Sequence, residues 1–155
     1  MEQDKALFWG GGWNCFSNFS SYQVMYKGKL WPTSEHAYQA AKFSDEKLQE
    51  KIRNAKSAYD AFMLGGENKE LRAKNWNEVK VSIMEEIVRE KLQQNSHILK
   101  KLLETGDMEI VEASPVDAFW GWGPNKDGEN ALGKIWMKLR EEIKTNKENE
   151  RLENE

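Results

Sequence analysis

Trp31-Pro32-Thr33-Ser34-Glu35-His36-Ala37-Tyr38-Gln39-Ala40-Ala41-Lys42-Phe43 is the stretch on which the reading of this chain turns. Pro32 ends an extended run, and Thr33 or Ser34 can cap a helix by accepting a free backbone N–H. In that helix Glu35, Gln39 and Lys42 recur at i, i+4 and i+7 and line one face, with Tyr38 beside them. His36, Ala37, Ala40, Ala41 and Phe43 cover the rest. A carboxylate, an amide and an amine in one row are either a solvated stripe or a polar row facing a pocket. The pattern alone favours the stripe.

Outward from this helix the chain divides into short elements. Residues 6–31 read as extended pieces: residues 6–9, a glycine break at Gly10-Gly11-Gly12, then residues 23–26 and 29–31 around a Lys27-Gly28 hairpin turn. C-terminal to the central helix, Ser44 or Asp45 starts a second helix to about Asn54, with Leu48 and Ile52 inward. Ser57 and Asp60 resemble a capping box for residues 58–64, closed by Gly65-Gly66. Asn75 and Glu78 open what reads as the longest helix, Trp76–Gln94, with Val79, Ile83, Met84, Ile87, Val88 and Leu92 as its apolar face. Ser96 caps a helix carrying Ile98, Leu99, Leu102 and Leu103, ended by Gly106. Residues 108–113 read as a strand, 115–128 as a glycine- and tryptophan-rich loop, and 130–144 as the last helix. The expectation is a mainly α fold with a few short β-strands, one domain over residues 1–145 and a charged tail over 146–155.

Composition narrows the function. The chain has 155 residues, enough for one domain with a core. A net charge of −3 provides no global positive field for nucleic-acid backbone. The single cysteine, Cys15, excludes an internal disulfide and fits a reducing compartment, so a cytoplasmic location is expected. The N-terminal stretch lacks a basic start and a long apolar run, which argues against a signal peptide, and no segment has the length of a membrane span. Two histidines and one cysteine cannot build a standard zinc site without carboxylates, and no metal or cofactor is expected.

The second informative stretch is Glu112-Ala-Ser-Pro-Val-Asp117-Ala-Phe-Trp120-Gly-Trp122-Gly123-Pro-Asn125. It sets an acid three residues before a tryptophan, among glycines that let backbone approach a ligand. Trp120 and Trp122 cannot both face a core if the segment is extended. Gly128 to Lys134 has phosphate-loop spacing, but Ile135 replaces the Ser or Thr that would hold magnesium. Asn130, capping the last helix, could offer N–H groups to an anion. Cys15 reads as a buried thiol and His97 as a surface residue. Glu35, Asp117, Lys42 and clustered tryptophans suit cleavage of a glycosidic bond between a sugar and a flat heterocycle, which needs negative charge beside an oxocarbenium-like carbon. Alternatively Lys42 adds to the opened sugar's aldehyde as a Schiff base, provided burial or a neighbouring cation lowers its pKa.

Phe16-Ser17-Asn18-Phe19, Gly28 and Trp31 through Phe43 together resemble the NADAR (YbiA-like) family. The resemblance continues in order through Leu71-Arg72, Asn75-Trp76, Lys80, Met84, Leu103, Thr105-Gly106, Ile110-Val111-Glu112, Asp117, Trp120-Gly121-Gly123, Gly128, Asn130, Leu132-Gly133, Met137 and Leu139-Arg140. It implies a mainly helical single domain and metal-independent N-glycoside cleavage. The implied substrates are a ribose-containing small molecule, namely a phosphoribosylamino-pyrimidine intermediate of riboflavin synthesis, or nucleic acid carrying ADP-ribose on guanine. Carried onto this chain, Glu35, Lys42, Asp117 and Trp120 become the catalytic candidates. Asn18, Ser34, Arg72, Trp76, Trp122, Gly123 and Asn130 become the substrate-binding ones. Asn75 departs from the family pattern, where an Asp precedes the tryptophan. The rival reading from another class is a module that binds NAD or ADP-ribose without turnover.

Overall fold

The computed structural model describes residues 4–155. Residues 1–3, and with them the start of the stretch read as lacking a signal peptide, lie outside the described residues. The fold is mainly α with a few short strands, as expected. Contacts within the chain gather it into two compact units: Cys15–Ser96, and the residues up to Asn14 together with His97–Glu155.

In the Cys15–Ser96 unit, strands β1 (Val24–Tyr26) and β2 (Lys29–Trp31) form an antiparallel hairpin. Lys27 and Gly28 both have positive φ, 51° and 78°, the conformation that a two-residue turn matching strand twist requires. Helix α1 (Ser34–Ala41) follows, with Thr33 Oγ1 accepting from the His36 N–H at 3.2 Å, a cap worth about 1 kcal/mol. α2 (Glu46–Arg53) is capped by Asp45 and buries Leu48 and Ile52. α3 (Ala58–Glu67) starts at the Ser57 cap. It does not stop at Gly65-Gly66 but runs through both. The reason is packing: α1 lies against α2, α3 and α4, and a Cβ on Gly65 would collide with the Gln39 side chain. A helical glycine costs about 1 kcal/mol of propensity, and here it permits the close approach. α4 (Trp76–Gln94) buries Met84, Ile87, Val88 and Leu92 as its periodicity demands.

In the other unit, β3 (Lys5–Phe8) and β4 (Glu109–Glu112) pair in parallel, Lys5 opposite Glu109 and Phe8 opposite Glu112. Ala6, Phe8 and Ile110 are buried on one face of the pair, and Val111, one residue on, is buried on the other. The glycines at 10–12 lead into a 3-10 turn, Gly11–Phe16, rather than an extended piece. α5 (Ser96–Glu104) ends where Gly106 adopts φ 57°. α6 (Ala131–Glu153) packs on β4 and is longer than α4, so the sequence's ranking of the two is corrected. Its last turns cover most of the segment read as a charged tail. Lys, Glu and Arg are strong helix formers and no Gly or Pro interrupts them, so the helix continues, exposed, to Glu153.

Among the described residues no helix is long and apolar enough to cross a membrane, and no three His, Cys, Asp or Glu are grouped so as to hold a metal ion.

Candidate functional site

The α1 row is not a solvated stripe. Every residue from Ser34 to Ala40 is buried, and Glu35 is only 6% exposed. A carboxylate removed from water needs a partner, and the Gln39 amide donates to Glu35 Oε1 at 2.7 Å, one helical turn on. Gln39 Oε1 has no hydrogen-bond partner and lies against Gly65. The N-terminal turn is fixed from outside the helix. The Asn18 carbonyl accepts the Glu35 N–H at 3.1 Å, Asn18 Oδ1 accepts the Ser34 hydroxyl at 3.0 Å, and the Asn18 amide meets Met84 Sδ at 3.2 Å. Asn18, Ser34, Glu35 and Gln39 are therefore one bonded cluster.

Lys42 follows at the helix end, half-buried, with Nζ 5.2 Å above the Tyr38 ring. The Ala73 N–H donates to its carbonyl at 2.8 Å, which brings the Arg72 segment to the C-terminus of α1. Burial lowers the Lys42 amine from its ordinary value. Glu35 pulls the other way, and the charges of Arg72, Lys69 and Lys80 lower it further. The condition for an amine nucleophile, burial together with neighbouring cations, is thus present. Trp76 is 2% exposed and its ring packs on Tyr38 at 5.3 Å. It braces the Lys42–Tyr38 stack from within the core and is no exposed wall. Exposed rings of this unit lie elsewhere: Phe19 and Phe62 lie 6.2 Å apart, and Tyr59 and Phe62 6.3 Å.

His36, on the same helix, has Nδ1 2.8 Å from the Thr33 hydroxyl and Nε2 3.0 Å from the Ala55 carbonyl. A carbonyl can only accept, so Nε2 carries a proton. Burial lowers its pKa, partly offset by the bond to Ala55. His36 is a structural tie between α1 and the chain after α2.

In the other unit the residues of 112–130 are tied to backbone. Asp117 Oδ1 accepts the N–H groups of Phe119 at 2.9 Å and Trp120 at 2.8 Å, and the Asp117 N–H donates to Ser114 Oγ at 2.9 Å. Trp120 stands edge-on to Phe119 at 4.8 Å, and Lys126 Nζ lies 5.1 Å over the Trp122 ring. Both tryptophans are half-buried. Gly123 has φ 70° and leaves no space for a Cβ, which would stand 2.7 Å from Ala118 Cβ. Asn130 does not cap α6 with its side chain. It adopts φ 52°, accepts the Glu112 N–H at 3.0 Å and donates to the Ile110 carbonyl at 2.9 Å, locking the end of β4. The first N–H groups of α6, on Ala131 and Leu132, donate to the Phe119 and Trp120 carbonyls, so they are not open to an anion.

One buried charge was missed. Lys91 is 0% exposed, its amine 2.9 Å from the Ser17 carbonyl and 3.0 Å from the Ser20 hydroxyl. Burial lowers it to about 7. The signal was in the periodicity, since Lys91 falls on the Met84–Ile87–Val88 face of α4.

Residues 7–144 match the family described as the NADAR domain. The chain is 41% identical over 128 residues to the N-glycosidase YbiA of Escherichia coli, covering 83% of this chain and 80% of that protein. It is 42% identical over 135 residues to an N-glycosidase of Nostoc punctiforme, covering 85% and 86%. A riboflavin biosynthesis protein of Vibrio vulnificus is 45% identical over 127 residues, covering 82% of this chain; the chain spans 35% of that protein's length. Among solved structures, the NMR structure of E. coli YbiA aligns with a TM-score of 0.83 at 37% identity, over 93% of this chain and 88% of that one.

Proposed function

Because the chain belongs to the NADAR domain family, we propose that it is an N-glycosidase whose substrate is a phosphoribosyl group joined to the amine of a pyrimidine. The observation that carries this is the α1 row. A buried carboxylate and a half-buried amine lie on one helix face, and three further cations act on the amine. Arg72, Lys69 and Lys80 supply positive charge for a substrate phosphate. The Vibrio relative is named as a riboflavin biosynthesis protein, which supports a pyrimidine leaving group.

In this reading the ribose ring opens to an imine at C1. The neutral Lys42 amine adds to C1 and passes one proton to the substrate nitrogen; the bond from C1 to that nitrogen then breaks as the second Lys42 proton moves onto it, releasing the aminopyrimidine and leaving a lysine imine. Water then adds to the lysine imine, freeing the aldehyde and restoring the amine. Glu35 stabilises the positive charge that develops at C1 in both halves. Asp117 is a second candidate carboxylate and Trp120 a candidate aromatic contact. Incubating the protein with a phosphoribosylamino-pyrimidine and, separately, with DNA bearing ADP-ribosylated guanine tests the assignment. Release of the aminopyrimidine is expected, and folded protein that releases nothing from either substrate would overturn it.

A second reading, removal of ADP-ribose from guanine in nucleic acid, is favoured by the exposed Phe19, Tyr59 and Phe62 rings, which could stack bases without a large positive field. Turnover of the DNA alone would select it.

A further inference from the structure

Lys91 is a core residue by position and a polar residue by chemistry. Met84, Ile87, Val88 and Leu92, its neighbours on the buried face of α4, are all apolar, and a Met or Leu would fill the same register without burying an amine. What the amine adds is a set of bonds to one short turn. It donates to the Ser17 carbonyl and the Ser20 hydroxyl, with the Tyr22 ring 5.5 Å from Nζ. The same turn is closed by the Ser20 N–H on the Ser17 carbonyl at 3.1 Å, and the Ser20 hydroxyl reaches the Ser17 carbonyl at 2.6 Å and the Cys15 carbonyl at 3.2 Å. Between the two anchored serines stands Asn18, whose carbonyl holds the Glu35 N–H and whose Oδ1 holds the Ser34 hydroxyl.

We propose that Lys91 is a positioning residue for Glu35: its amine pins the 17–20 turn, the turn fixes Asn18, and Asn18 fixes the first turn of α1. The proposal rests on the reading of Glu35 as a site residue, but the bond chain stands without it. Two independent supports meet on Glu35, Gln39 from within the helix and Lys91 through Asn18 from outside it. Removing the second takes the Asn18 hold off the Glu35 N–H and the Ser34 hydroxyl, leaving the first turn with its Thr33 cap and the carboxylate with Gln39.

The test uses Lys91→Met and Ser20→Ala in the full chain, with two readouts. The first is amide hydrogen exchange. The Glu35 N–H should exchange about tenfold or more faster in Lys91→Met, while the Ile87 and Val88 amides of α4 keep their rates. The second is turnover of the phosphoribosylamino-pyrimidine, where kcat should fall about thirtyfold or more with KM moving less than about threefold, the signature of a misplaced group. Ser20→Ala, which removes one of the two acceptors, should shift both in the same direction by less. Unchanged Glu35 exchange in Lys91→Met, or exchange rising equally across α4, overturns the proposal. If Lys91→Met does not fold, Ser20→Ala decides by the same two criteria. If the wild-type protein turns over no substrate, the functional reading fails and the exchange result still judges the bond chain.

Discussion

Helix α1 and the 112–130 loop carry comparable densities of polar and aromatic residues, and they use them in opposite ways. The loop has no ladder of its own, so its side chains satisfy its backbone. Asp117 holds two N–H groups, Ser114 two more, and Asn130 the end of β4. An α-helix satisfies its own backbone, so Glu35, Gln39 and Lys42 are not needed to form α1. Their burial has to be explained by something other than local folding. Polar residues that a segment needs in order to exist read as architecture, and those in excess of that need read as chemistry.

The largest expected effect tests this contrast directly. Glu35→Gln keeps an acceptor for Gln39 and should leave the melting temperature nearly unchanged while lowering kcat about 10³-fold. Asp117→Asn also keeps its Oδ1 acceptor and should fold. If it loses as much activity as Glu35→Gln, the loop carries chemistry too and the contrast breaks. Asp117→Ala, which strands two N–H groups, should cost about 1–2 kcal/mol in a urea titration.

Next in size is Lys42→Met, expected to lower kcat about 10²-fold without unfolding the protein. In the wild type the neutral amine is the reactive form. Burial and neighbouring cations lower its pKa, so the rate should rise with pH along a limb below the ordinary lysine range. A limb at ordinary lysine values, or none, would remove Lys42 from the chemistry.

Glycines sharpen the comparison from the backbone side. Gly65→Ala would press on Gln39 Cδ, 2.8 Å from the new Cβ, and so move the partner of Glu35. Activity should fall about tenfold, as from a small misplacement, with a modest change in melting temperature. Gly123→Ala meets Ala118 at a φ of 70° and should destabilise by about 1–3 kcal/mol, with activity per folded molecule retained.

Stability against pH gives a further test. Lys91 has a folded pKa of about 7, below its unfolded value of 10.5, so between those limits the unfolded chain binds more protons. Stability is then fully present above the unfolded pKa and is lost as pH falls towards 7, with a slope up to about 1.4 kcal/mol per pH unit. The urea midpoint should therefore rise from pH 7 to 9.5, and most of that rise should vanish in Lys91→Met. Burial is the main cause; Cys15 opposes it and Tyr22 faces the amine. Lys42, lowered in the same direction, contributes with the same sign.

Much of the Cys15–Ser96 unit was legible because its signals are local. The Lys27-Gly28 turn, the Thr33, Asp45 and Ser57 caps and the α4 periodicity all act within a few residues. The parallel pairing of Lys5–Phe8 with Glu109–Glu112 leaves no local trace, since its partners lie about a hundred residues apart. Gly65-Gly66 misled because a glycine that ends a helix and one that lets another helix approach look alike in one sequence. Asn130 was read as a cap from its position, whereas its side chain turns to β4. The α1 row shows the limit most clearly. Periodicity placed Glu35, Gln39 and Lys42 on one face but could not say that the face is buried, and only the family resemblance pointed that way.

The measurement that tests the central claim most directly is borohydride trapping during turnover of the phosphoribosylamino-pyrimidine, followed by peptide mass spectrometry. The account predicts a reduced pentose-phosphate adduct on Lys42, absent in Lys42→Met and reduced in Glu35→Gln. Sustained turnover with no adduct on Lys42 would contradict it.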